Sequence, residues 1–125
     1  MITQMMEVHR IRSMRRDLLL VRIQVTLSRL AEAKRQLTAA ESKMSQIERF
    51  RRERARELRN TTQRELNLLA ARAKLETVSL ALHIEGEETQ LAGDRNSLHQ
   101  VEEKLSALQR IADEALALSD SEDDD

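Results

Sequence analysis

The side chains with the clearest capacity for site chemistry are three histidines, His9, His83 and His99, set among 22 carboxylates and 21 Lys or Arg. A metal needs ligands that converge on one point, and these histidines lie far apart in the sequence. On a chain that doubles back near Asn60, His83 lies opposite residues 38–44, which offer no ligand pair. The carboxylate pairs Glu87-Glu88 and Glu102-Glu103 are consecutive, so on a helix they point apart instead of sharing one bond. No Gly-rich phosphate loop and no nucleophile elbow is present. The absence of cysteine removes disulfides and thiolate ligands. No catalytic residue, cofactor or metal site is expected, and enzyme is the least expected class.

Arginine carries more information. Arg49, Arg51, Arg52, Arg54, Arg56, Arg59 and Arg64 crowd one stretch, interleaved with Glu48, Glu53, Glu57 and Glu65. Pairs such as Glu48–Arg52 and Glu53–Arg56 have helical spacing and would partly cancel on a solvated face. The competing reading is a docking surface, because the planar guanidinium makes bidentate contacts to carboxylates and is enriched at interfaces. Nucleic acid is disfavoured by the interleaved glutamates, the lack of stacking aromatics and a pI near 6.3. A second basic group, Arg10, Arg12, Arg15 and Arg16, opens the chain. Asp120 and residues 122–125 form an acidic end that would neutralise or shield it.

These groups must be positioned by helices. Among 125 residues there is no proline, two glycines and one aromatic residue, Phe50. Such a composition, rich in Ala, Leu, Glu, Arg and Lys, is that of coiled coils. Ile11, Met14, Leu18, Val21 and Val25 are spaced 3, 4, 3 and 4, and are read as the start of an apolar seam. A neighbouring stripe, Leu20, Ile23, Leu27, Leu30 and Leu37, continues through Ala40, Met44, Ile47, Ala55 and Leu58. In the second half Leu68, Ala71, Leu75, Val78 and Leu82 form one seam, with Leu66, Leu69, Ala73, Leu80 and Ile84 beside it. The interval 85–96 is largely polar and holds Gly86 and Gly93; Leu91, Leu98, Val101, Leu105, Leu108, Ala112 and Ala115 restore the pattern. The interval is expected to be a weak point; a full break with Asp94 as N-cap would give three helices.

The turn is expected at Asn60-Thr61-Thr62. Asn tolerates the left-handed conformation that ends helices, and Thr62-Gln63-Arg64-Glu65 matches a capping box. Charge changes sign there. Residues 1–59 hold 15 Lys or Arg against 7 Asp or Glu, a net of +8; residues 60–125 hold 6 against 15, a net of −9. Opposite halves favour an antiparallel partner within the chain. The expected fold is therefore all-α: two long helices, about 2–59 and about 63–117, forming an antiparallel coiled-coil hairpin over residues 1–118. Residues 119–125 are expected to be an acidic, disordered tail. No apolar run nears the roughly 20 residues needed to span a bilayer, and no secretory leader is recognisable, so a cytoplasmic chain is expected.

The basic opening Ile11-Arg12-Ser13-Met14-Arg15-Arg16, the apolar stretch after it, the Arg/Glu-rich middle and the Ala/Leu-rich return resemble the YscO/FliJ family over nearly the whole chain. These are central-stalk proteins of bacterial type III secretion and flagellar export. The resemblance implies a hairpin similar to the stalk of rotary ATP synthases. It implies partners too: the secretion ATPase hexamer near its pore, the cytoplasmic ring of the export gate and, for some members, substrate chaperones. By position, Arg10, Arg12, Arg15 and Arg16 would suit the ATPase pore, and Arg49, Arg51, Arg52, Arg54, Arg56 and Arg59 the export gate. A short acidic tail is not part of the family pattern. A generic coiled-coil scaffold or homodimer, or a helical secretion chaperone, are the competing readings.

Overall fold

The structure, a computed structural model, describes the backbone of residues 2–123 and the side chains of residues 3–120. Among the described residues it has two helices and no strand: α1, Ile2–Arg54, and α2, Asn60–Asp123. They pack against each other as an all-α helical hairpin. The packing resolves into two compact units, one joining the N-terminal stretch up to Thr26 with the stretch from Gln90 onward, the other Leu27–Thr89.

The turn occupies residues 55–59, ahead of the expected Asn60–Thr62. Arg51, Arg52 and Arg54 in the last turn of α1 complement the partial negative charge of that helix end. The Glu57 N–H then donates to the Arg54 carbonyl at 3.0 Å, closing the helix with a tight bond. Asn60 does not act as a left-handed terminator, since no non-glycine residue among those described has positive φ; it begins α2 instead. The Gln63 N–H donates to the Arg59 carbonyl at 3.0 Å, which makes Arg59 the capping position. Thr62 therefore already lies inside the first turn of α2, and the expected Thr62–Glu65 capping box does not form. The Gln63 side chain holds the turn instead. Its Nε2 donates to the carbonyls of Ala55 at 2.9 Å and Leu58 at 3.4 Å.

The seams take up most of the expected neighbouring stripes, Ile23, Leu30, Leu37, Ala40, Met44 and Ile47 on α1 and Leu66, Ala73, Leu80, Ile84 and Leu98 to Ala115 on α2, and differ elsewhere. The least exposed positions of α1 recur at Met5, His9, Arg12, Arg16, Leu19, Ile23, Thr26 and Leu30, then at Ala33, Leu37, Ala40, Met44 and Ile47. That is an unbroken alternation of 4 and 3. On α2 the same rule runs through Leu66, Ala70, Ala73, Thr77, Leu80 and Ile84, then Glu87, Leu91, Asp94, Leu98 and Val101 onward to Ala115. The stripe Ile11, Met14, Leu18, Val21 and Val25 is not the seam; it stands 44–65% exposed. Nor is Leu68, Leu75, Val78 and Leu82, at 49–70%. Leu20, Leu27 and Leu69 are exposed too.

In the first unit Leu19, Val101 and Leu105 form a buried cluster with Leu98 against it. Full burial of such a side chain contributes about 1.5–3 kcal/mol. In the second unit the buried positions include Leu30, Ala33, Ala40, Ala73 and Ile84. Thr77 sits on that seam because its Oγ1 donates to the Ala73 carbonyl at 2.8 Å, which satisfies the hydroxyl locally.

No break interrupts α2 at 85–96. Gly86 and Gly93 lie inside the helix on its open side, where an added Cβ would meet nothing within 4 Å. Glu87 and Asp94 occupy seam positions between Ile84, Leu91 and Leu98, so the repeat continues in polar residues. The three-helix alternative does not occur. The expected tail also begins within helix, since α2 extends to Asp123; residues 124–125 lie outside the described residues.

Candidate functional site

The candidate groups are the two arginine clusters singled out in the sequence. At the tip, Arg49, Arg51, Arg52 and Arg54 end α1, Arg56 and Arg59 lie in the turn, and all six are exposed. The expected pairs Glu48–Arg52 and Glu53–Arg56 are not formed: among the described residues no tip arginine reaches a carboxylate oxygen within 4.0 Å. The one ordered contact is aromatic. The Arg54 guanidinium lies 5.4 Å from the centre of the Phe50 ring, which holds the cation against a π face. A shallow cleft of about 220 Å³ lies between Arg51, Ala55 and Leu58 on one side and Gln63, Leu66 and Asn67 on the other.

The second basic group divides between two faces. Arg12 and Arg16 fall on the seam and are half-buried, whereas Arg10 and Arg15 are exposed. Arg16 Nη2 donates to Ser13 Oγ at 3.2 Å and pairs with Asp17 at 3.4 Å. Asp120 reaches none of these arginines within 4.0 Å, and the side chains of 121–125 lie outside the described residues. At this end a cleft of about 390 Å³ is lined chiefly by Met5, Met6, His9, Leu108, Ala112 and Leu116. Ala112 and Ala115 contribute small side chains to that lining. The two basic groups belong to different units.

Two cross-helix ion pairs follow the charge division of the sequence. Within the first unit Arg22 Nη2 meets Asp94 Oδ1 at 3.2 Å; within the second, Lys34 Nζ meets Glu88 Oε1 at 3.6 Å. The Lys34–Glu88 pair is solvated and worth under about 1 kcal/mol. The Arg22–Asp94 pair is different, because the Asp94 side chain is 10% exposed and its Oδ2 has no partner. Glu87 Oε2 is likewise buried and unpartnered. A polar group inside a coiled-coil seam costs stability and specifies register.

Sequence reasoning did not assign a role to Arg22 or Thr26 and treated Asp94 only as a possible helix start; it read Glu87 as a residue of the solvated face, whereas its side chain is 12% exposed on the seam. The signal was there: stepping back by 3 and 4 from Val101 and Leu98 lands on Asp94, Leu91 and Glu87.

The histidines stay apart from one another's chemistry. His83 and His99 each approach a glutamate one turn on, Glu87 at 4.0 Å and Glu103 at 3.0 Å, and His9 lines the cleft near Met5. No group of three or more metal-capable side chains gathers among the described residues. Nor is any helix of the structure long and apolar enough to cross a membrane. Compared with protein-family models, curated proteins and solved structures, the chain matches none.

Proposed function

We propose that this chain is a non-enzymatic stalk or adaptor of a bacterial type III secretion system, acting in the cytoplasm, engaging the secretion ATPase ring and coupling it to the export gate. The support is the helical hairpin itself together with the sequence pattern resembling the YscO/FliJ family. The observation that carries the reading is the tip, where six exposed arginines have no carboxylate of the described residues within 4.0 Å. Exposed, unpaired guanidinium groups at a hairpin turn are free for bidentate contacts to an acidic ring surface. Coupling then requires that the stalk bind some nucleotide states of the ring better than others, since a ligand shifts an equilibrium only by its differential affinity.

The test is a pull-down of the full chain against the secretion ATPase and the export-gate ring, with ATP turnover measured. Binding to the ATPase with altered hydrolysis is expected, and replacing Arg51, Arg52, Arg56 and Arg59 by Ser should weaken capture of the export-gate ring. Failure to bind either component removes the reading. Exposed stripes on both helices favour the scaffold alternative, and a stable dimer in light scattering without ATPase binding would establish that one instead.

A further inference from the structure

The outward stripe of α1 is more apolar than the seam that α1 buries at the same level. Over residues 9–18 the seam positions include His9, Arg12 and Arg16, while Ile11, Met14 and Leu18 face solvent. Val21 and Val25 continue the stripe with the same 3–4 spacing. In a seven-residue repeat its centre lies about 155° from the centre of the seam, so the α2 partner does not cover it. Five apolar residues in one exposed heptad line exceed the scattered hydrophobes that any surface carries. The spacing is that of a helix prepared for a second helical neighbour.

The rim of the stripe says what that neighbour is. The charged positions flanking it are Arg10, Arg15, Arg22 and Asp17; Arg22 already pairs with Asp94 and Asp17 with Arg16, which leaves Arg10 and Arg15 as the uncompensated charges of the rim. Flanking charges set partner choice in coiled coils, and this rim calls for carboxylates. A second copy does not supply them. In a parallel pair of identical stripes Arg10 faces Arg15, while Asp17 and Arg22, which face each other, are already paired within their own chains; the exposed α2 stripe, Leu68 to Leu82, is flanked by Arg72 and Lys74. In the acidic part of α2, Ile111 and Leu118 stand a heptad apart with Glu114 between them on the same face, which leaves no continuous apolar line. A membrane surface is also a poor match: the line is narrow, and it holds no aromatic residue to seat at an interface.

We propose that the face Ile11, Met14, Leu18, Val21 and Val25 is a docking site for an acidic amphipathic helix of another protein. The site lies outside the tip on which the secretion reading rests, and its test does not depend on that reading.

The probe is a synthetic 28-residue peptide, a length chosen as about four heptads, with Leu and Ile at the core positions and Glu at the flanking ones. Its twin carries Lys in place of Glu. Titrated into the full chain, the Glu peptide should bind at least tenfold more tightly than the Lys peptide, and about tenfold more weakly at high salt. Leu18→Asp with Val21→Asp should abolish binding while circular dichroism stays helical; Leu75→Asp on α2 should leave it unchanged. Arg10→Glu with Arg15→Glu should invert the preference between the two peptides. Equal binding of both peptides, or binding indifferent to Leu18→Asp, overturns the proposal. So does a dimer of the free chain that Leu18→Asp converts to monomer, which would assign the face to a second copy. Stripe-dependent binding to anionic phosphatidylserine vesicles, with no binding of the Glu peptide, would assign it to a membrane and overturn the proposal as well.

Discussion

Adjacent residues on α1 have opposite fates, and that contrast is measurable. Leu19 is buried against Val101 and Leu105, whereas Leu18 is 65% exposed. Leu19→Ala should cost about 2–5 kcal/mol in urea unfolding, and Leu18→Ala within about 0.5 kcal/mol; equal costs would contradict the seam described above. At Gly86 and Gly93 the helix carries residues with large backbone entropy and open space where a methyl group would go. Gly86→Ala and Gly93→Ala should therefore each raise stability by about 1 kcal/mol, seen as a higher thermal midpoint. The Arg22–Asp94 pair behaves in the reverse sense. Arg22→Ala leaves a mostly buried carboxylate without its cation and should destabilise by about 1–2 kcal/mol. Arg22→Met with Asp94→Leu should restore or exceed the original stability, at the expense of a uniquely defined register. Equilibrium unfolding of the single and double variants, with sedimentation to detect misregistered oligomers, checks both statements.

At the scale of the elements, the turn offers a direct discrimination between two capping schemes. Gln63→Ala removes hydrogen bonds to Ala55 and Leu58 and should cost about 1 kcal/mol, with faster amide exchange at 55–59. Thr62→Ala should be nearly neutral, because Thr62 lies within the first turn of α2 and makes no cap. Two helices of heptad character were legible from composition and spacing, as was the approximate place of the turn. Much of the seam was legible too, from Ile23 to Ile47 and from Leu98 to Ala115, but its course through residues 9–19 and 87–94 was not. Each helix carries two lines with the same 3–4 spacing, and hydrophobicity alone ranks them wrongly. The seam holds Arg12, Arg16, Thr26, Glu87 and Asp94, whereas the outward lines hold Leu18, Leu75 and Leu82. The pairing is decided by continuity instead. Only the lines through Leu19 and through Leu91 extend without a skip along almost the whole of both helices. The tip arginines were legible as a cluster, but their lack of partners was not, because spacing permits an ion pair without forming one.

The whole molecule divides charge by helix, +8 before Asn60 and −9 from it, and the cross-helix pairs Arg22–Asp94 and Lys34–Glu88 place the basic member on α1 each time. That division gives an antiparallel partner an advantage over a second parallel α1. It also bears on synthesis, because the chain is made from its N-terminus and α1 precedes every residue able to cover it. The 64 residues of α2 take roughly 3–13 s to appear at 5–20 residues per second. Throughout that interval α1 carries both of its apolar lines uncovered, with the repulsion of its own arginines as the main protection against pairing with neighbouring nascent chains. Pulse-labelled ribosome-bound chains ending near residue 60 should accordingly be captured by holdases more strongly than chains carrying α2, and lowering the charge of α1 should lengthen the capture. The outward apolar face of α1 is thus a hazard of timing first.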